Sequence, residues 1–205
     1  EFDSLSLNGI TKYPAPAPVL ITTDPVIITT DPTLPWTGHM NVFDIENNFV
    51  FGNPWAVDKL KTELDTDSKE ITLKPNFNAY QENPTDSFWV DQASLAGNKI
   101  MEANTYVEYQ PNTYTGGDLI LSGYVVNYTL SSDYTAEYFI KALDPTAGYS
   151  DTLSNNIGTL SEIGEFSLTV TSDKLHSNLV IQAGFRVRGK NANPSHESSL
   201  GSVIL

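Results

Sequence analysis

The chain has 205 residues, 40% hydrophobic and 18% charged, which is enough to bury one substantial core with a small extra element at one end. Its formal charge of −14, from 25 acidic against 11 basic residues, repels nucleic acid, anionic lipid and acidic polysaccharides, so the partner expected from charge is neutral. The absence of cysteine excludes disulfides, thiolate nucleophiles and zinc–thiolate sites together and leaves the compartment open.

No stretch of about twenty apolar residues offers a membrane span, and the first residues lack the charged-then-apolar order of a signal peptide. The segment from residue 1 to 38 is set apart by proline. KYPAPAPV is followed by the near-repeat ITTDPVIITTDP, and Pro14, Pro16, Pro18, Pro25, Pro32 and Pro35 favour an extended path without backbone donors. It reads either as a linker or as an arm packed on its own domain, because Val19–Ile21 and Val26–Ile28 are apolar enough to add edge strands. Trp36 beside Pro35 reads as a packing anchor.

A compact module spans 39–205. Pro54 to Leu64 carries Val57, Leu60, Lys61 and Leu64 at helical spacing and is expected to form one short helix. In Ser87 to Gln92, SFWVDQ, alternation puts Phe88 and Val90 on one side and Trp89 with Ser87 and Asp91 on the other. An indole on a polar strand face suits a sugar ring, whose C–H face is weakly apolar and whose rim carries hydroxyls. From Lys99 to Gln110, Met101, Ala103, Thr105, Val107 and Tyr109 face inward, leaving Ile100, Glu102, Asn104, Tyr106 and Glu108 on the other face. Leu119–Leu130 and Thr135–Leu143 are apolar on both phases, as central strands are. Phe166, Leu168 and Val170 alternate with polar residues, and Leu179, Ile181, Ala183, Phe185 and Val187 alternate with Val180, Gln182, Gly184, Arg186 and Arg188. Turn signals at Thr115-Gly116-Gly117, Asp144-Pro145 and Ile163-Gly164 separate these runs. Many short strands with little helix predict an all-β, two-sheet antiparallel sandwich of jelly-roll type, since immunoglobulin-like modules run nearer 100 residues.

The order NPWAVDKLKT, ITLKPNFNAY, SFWVDQ, GNKIMEANTYVEY, LSGYVVNYTL, YTAEYFIKALDP and FRVRGKNANPSHESSLGSV resembles an accessory carbohydrate-binding β-sandwich module. Such modules occur in secreted polysaccharide-utilisation proteins of marine Bacteroidota, beside β-glucanase domains or in surface glycan-binding proteins. The resemblance runs from Phe49 to Leu205, and Glu1 to Thr37 lie outside it. It implies a non-catalytic, secreted or outer-surface bacterial module, monomeric within a larger protein, that binds a neutral β-glucan. A laminarin-like β-1,3-glucan is the best-matching ligand class.

Trp89, Glu102, Asn104, Tyr106, Gln182, Arg186 and Arg188 all fall on non-core phases. If their strands are neighbours, they line one face with an aromatic platform and hydrogen-bonding groups suited to vicinal hydroxyls. Trp55 is a second stacking surface or a pin for the short helix, and Tyr80 joins the candidates from the amide-rich loop KPNFNAY. The asparagines of that loop and of NANPSHE (Asn76, Asn78, Asn191 and Asn193) fit turn formation. No cofactor is expected. A structural calcium held near Asp133, Asp144 or Glu197 is compatible with an acidic chain, although no D-x-D-x-D-G loop is present.

Enzyme chemistry lacks a motif. His39, His176 and His196 stand in turn-like polar contexts, with no G-x-S-x-G, H-E-x-x-H or phosphate loop. Glu102 and Glu108 on one strand are roughly 20 Å apart, too far for a glycosidase pair. The competing reading is a structural or adhesive spacer domain of a surface protein.

Overall fold

A computed structural model describes residues 23–205, apart from 77 and 155. Its strands are β1 (Val26–Ile28), β2 (Thr37–Phe43), β3 (Phe49–Pro54), β4 (Thr62–Asp65), β5 (Glu70–Leu73), β6 (Ile100–Tyr109), β7 (Leu119–Val125), β8 (Asn127–Tyr128), β9 (Thr135–Asp144), β10 (Ser150–Asp151), β11 (Ile157–Leu160), β12 (Gly164–Val170), β13 (Val180–Lys190) and β14 (Val203–Ile204). Two short helices, α1 (Asn78–Glu82) and α2 (Glu197–Leu200), complete the regular structure of the described residues along with single 3-10 turns. The fold is all-β and sandwich-like.

A main sheet runs β10-β9-β13-β6-β2-β3, with β11 also paired to β9, and its ladders are antiparallel. A three-stranded sheet, β1-β7-β12, and a small sheet, β4-β5-β14-β8, complete the described strands. Period-two alternation explains the layering. Ala136, Ile140, Ala142, Ile181, Ala183, Phe185, Val187 and Val107, all on one face of β9, β13 and β6, are buried with Leu119, Leu121 and Val170 of the three-stranded sheet. Removing one such large apolar side chain from water contributes about 1.5–3 kcal/mol. The same face continues across β6 and β2 as a second cluster of Met40, Val42, Met101 and Ala103, covered by Leu60 and Ala79.

From residue 23 the proline-rich segment lies against the sandwich; Pro14, Pro16, Pro18 and Val19–Ile21 fall outside the described residues. β1 pairs in parallel with β7, and Ile28 is buried. Trp36 belongs to the main core, its Nε1 donating to the Asp31 carbonyl at 2.8 Å and its ring 5.7 Å from that of Phe185.

Three local expectations are corrected. Pro54–Leu64 is not one helix: β3 reaches Pro54, a single 3-10 turn covers Val57–Leu60, and Lys61 in a left-handed conformation (φ 64°) ends it. Leu64 therefore lies in β4, where pairing with Ile71 of β5 outweighs its helical spacing. The apolar run Leu119–Leu130 is split at Val126, whose N–H turns to the Ile204 carbonyl of the neighbouring sheet at 2.8 Å. SFWVDQ is a turn: the N–H groups of Trp89 and Val90 both return to the Asp86 carbonyl, at 3.1 and 3.0 Å, so strand alternation does not apply to it.

Candidate functional site

The outer face of the main sheet carries the polar phase. Glu102, Asn104, Tyr106 and Glu108 on β6 stand opposite Arg188, Arg186, Gly184 and Gln182 on β13. Farther across, Arg186, Gly184 and Gln182 are level with Glu137, Phe139 and Lys141 on β9. On the other flank Asn41, His39 and Thr37 of β2 are level with Glu102, Asn104 and Tyr106. Register alone thus gathers one row of alternating side chains from four strands.

Part of this face is sealed by its own pairing. The Glu102 carboxylate accepts from Asn41 Nδ2 at 3.0 Å and lies 3.4 Å from Arg188 Nε and 3.7 Å from Arg186 Nη1. Arg186 also donates to Glu137, and Arg188 donates to Asn47 in the β2–β3 turn and stacks 5.0 Å over Phe43. Glu108 accepts from Gln110 at 2.5 Å and from Gln182 at 2.7 Å. The buried Glu102 carboxylate, paired in this way, holds the strands in register and is expensive to unpair.

Beside this network a cleft of about 390 Å³ opens, lined by His39, Asn41, Asn104, Tyr106, Lys141, Leu143, Tyr149 and Gln182. That volume falls in the range of small-ligand clefts. Gly184 stands in register between Tyr106 and Phe139 and, lacking a side chain, lets those rings approach to 6.4 Å between centroids. Burial pushes the Tyr106 hydroxyl up to about 12, with the Glu108 charge adding to the shift, so the phenol stays a neutral donor and acceptor. Desolvation also lowers the His39 imidazole below the ordinary histidine value despite its bond to Asn41, which leaves it uncharged near pH 7. Asn104 is 2% exposed; its Nδ2 donates to the Glu102 carbonyl at 2.9 Å, while its Oδ1 is buried without a hydrogen-bond donor. An amide acceptor buried without a donor is costly. Tyr149 stands at the rim, 60% exposed, with a left-handed backbone (φ 61°) that bulky residues adopt only under constraint.

Of the residues singled out from sequence, Asn104, Tyr106 and Gln182 line the cleft. Glu102, Arg186 and Arg188 sit on the same face but within the ion-pair network. Trp89 does not join them. Its ring packs against Phe88 and Phe51, 4.8 and 6.2 Å away and edge-on, over the second core cluster on the opposite face of the sheet. Trp55 covers the same cluster, and its N–H donates to the Gly38 carbonyl at 3.1 Å. Tyr80 is 6% exposed in α1, its hydroxyl donating to the Leu95 carbonyl at 2.9 Å and accepting from Asn193 at 3.1 Å. These three aromatics are placed as packing residues.

The loop asparagines act locally. Asn76 and Asn78 both donate to the Lys59 carbonyl at 2.9 Å, Asn193 caps the turn at Ser195, and Asn191 ties Trp89 to Lys99. Asp144 caps the turn that leads into Tyr149, accepting from Thr146. Glu197 lies 3.8 Å from Lys74, and Asp133 lines a separate surface hollow. Among the described residues no group of three or more His, Asp or Glu is placed to hold a metal ion.

Sequence reasoning missed His39, Asn41, Lys141 and Tyr149. The first two stand in β2, where TGHMNVF alternates cleanly with buried Met40 and Val42, so His39 is a strand residue and not a turn residue. Lys141 was hidden in a strand apolar on both phases because Phe139 and Leu143 share its face. Nothing local marks Tyr149; the turn after Asp144-Pro145 brings it back over β9, where its N–H reaches the Asp144 carbonyl at 2.8 Å. No family model, curated protein or solved structure matches the chain.

Proposed function

We propose that this chain is a non-catalytic glycan-binding module that holds a β-glucan chain in the main-sheet cleft, with a laminarin-type β-1,3-glucan as the ligand its sequence resemblance favours. One observation carries the reading: a small-ligand-sized cleft lined mainly by amides, phenols and an imidazole, with Lys141 and Leu143 beside them. Neutral hydroxyls are the partners such a lining satisfies. Tyr149 supplies an exposed ring at the rim for a sugar face, and Tyr106 supplies a hydroxyl at the floor. A single shallow site of this kind binds weakly, so retention on a polymer would come from multivalency, with the module concentrating a linked enzyme or transporter outside a bacterial cell.

Catalysis is not part of the reading. Glu102 and Glu137 both contact Arg186, so neither is free to protonate a leaving group as a glycosidase acid must. The test is native electrophoresis through gels cast with laminarin, mixed-linkage glucan, xylan or alginate. Retardation by laminarin is the expected result, and unretarded migration in all four gels would overturn the reading in favour of a spacer domain.

A further inference from the structure

The cations of the outer face are not all in contact with carboxylates. Glu102 is shared by Arg186, Arg188 and Asn41, Glu137 is bound by Arg186, and Glu108 is bound by Gln110 and Gln182. Asp151, at the edge of the sheet, accepts from the N–H groups of Ala142 and Leu153 at 3.1 and 3.0 Å. Lys141 makes no such contact. Its Nζ sits 4.6 Å from the centroid of the Phe139 ring, and among the described residues no carboxylate comes within 4.0 Å of it. It is also the one lysine or arginine lining the cleft, and no aspartate or glutamate lines it. In a chain of net charge −14, a cleft presenting an ammonium and no carboxylate runs against the overall field. Burial lowers the lysine below its ordinary range, with Arg186 adding to the shift and Glu102, Asp151 and Glu137 opposing it, and an anion in contact would favour the charged form.

Resting on the glycan-binding reading above, we propose that the cleft takes a chain that is neutral except for one anionic substituent, a carboxylate or a sulfate ester on one ring, and that Lys141 selects it. The two length scales separate single charges from polyanions. Attraction to Lys141 acts at contact in a partly desolvated cleft, where it is screened less than at an open surface. Repulsion by the acidic surface acts on every further charge of a polyuronate that runs past the cleft, within a Debye length of about 8 Å.

Calorimetric titration of the full chain with four probes tests this: a neutral β-1,3-gluco-oligosaccharide, the same oligosaccharide with one ring oxidised to a uronic acid, the same bearing one sulfate ester, and alginate. At least one singly charged probe should bind about tenfold more tightly than the neutral one, a gain typical of one partly desolvated ion pair. The preferred probe identifies the substituent. The gain should shrink at high salt, persist in Lys141→Arg, and vanish in Lys141→Met, so that this variant binds the neutral and singly charged probes alike; Lys141→Gln serves if the methionine variant does not fold. Alginate should bind no better than the neutral probe. Equal binding of neutral and singly charged probes would overturn the inference and leave the glycan-binding reading standing. A preference that survives in Lys141→Met would overturn the role of Lys141, and absence of binding by every probe would overturn both readings.

Discussion

Trp89 and Tyr149 divide between them the roles of anchor and platform. The Trp89 indole meets the stacked pair Phe51 and Phe88 edge-on and packs against the second core cluster, a contact set that belongs to stability. Trp89→Ala should therefore lower unfolding free energy by about 2 kcal/mol, less than for a fully buried tryptophan because the ring is only half-buried, and should leave glycan affinity unchanged. Urea denaturation paired with affinity electrophoresis checks both halves. Tyr149 should behave in the opposite way. Its left-handed φ of 61° costs a tyrosine roughly 1 kcal/mol that glycine does not incur, so Tyr149→Gly should unfold slightly later on heating. The same substitution removes the exposed ring and should weaken glycan binding about tenfold or more, as loss of an aromatic hot spot does. Loss of both stability and binding would mean that the ring is a structural contact.

At the scale of elements, the cleft exists because β6, β13 and β9 meet in one register with glycine in the middle. A Cβ on Gly184 would lie 2.1 Å from the Thr105 carbonyl oxygen and 2.5 Å from the Tyr106 Cα, both backbone atoms that cannot swing aside. Gly184→Ala should force the two strands apart and cost about 1–3 kcal/mol, measured by urea denaturation. Amide exchange should accelerate most along the β6–β13 ladder. How legible this was from sequence depends on the element. In β6 and β13 a strict two-residue alternation separates Glu102, Asn104, Tyr106, Gln182, Arg186 and Arg188 from the core, and hydrophobic burial enforces that phase. In SFWVDQ the same alternation misled, because Asp86 caps the segment: its side chain accepts from the Phe88 N–H at 2.8 Å, and its carbonyl takes two further N–H groups. Six residues cannot reveal which of a turn and a strand satisfies more backbone donors. Lys141 and Tyr149 were illegible for another reason. Their position depends on which strands become neighbours, and strand order is a long-range property that alternation does not encode.

For the whole molecule, the sandwich assigns opposite duties to the two faces of the main sheet. The inner face is consumed by the core and its covering layers, while the outer face is fastened by arginine–carboxylate pairs and open at the cleft around Tyr106. Because those carboxylates serve as structural partners, the purified protein incubated with laminarin should release no reducing sugar above a heat-inactivated control, and sustained release would show that an acid and a base are available after all. The most direct measurement of the central claim is a titration of the isotopically labelled protein with a β-1,3-gluco-oligosaccharide, followed by amide chemical shifts. The account predicts that the largest shifts fall on His39 and Asn41 of β2, Asn104 and Tyr106 of β6, Lys141 of β9, Gln182 of β13, and Tyr149 in the turn before β10. Shifts concentrated instead around Phe51, Phe88 and Trp89, or absent at saturating ligand, would contradict it.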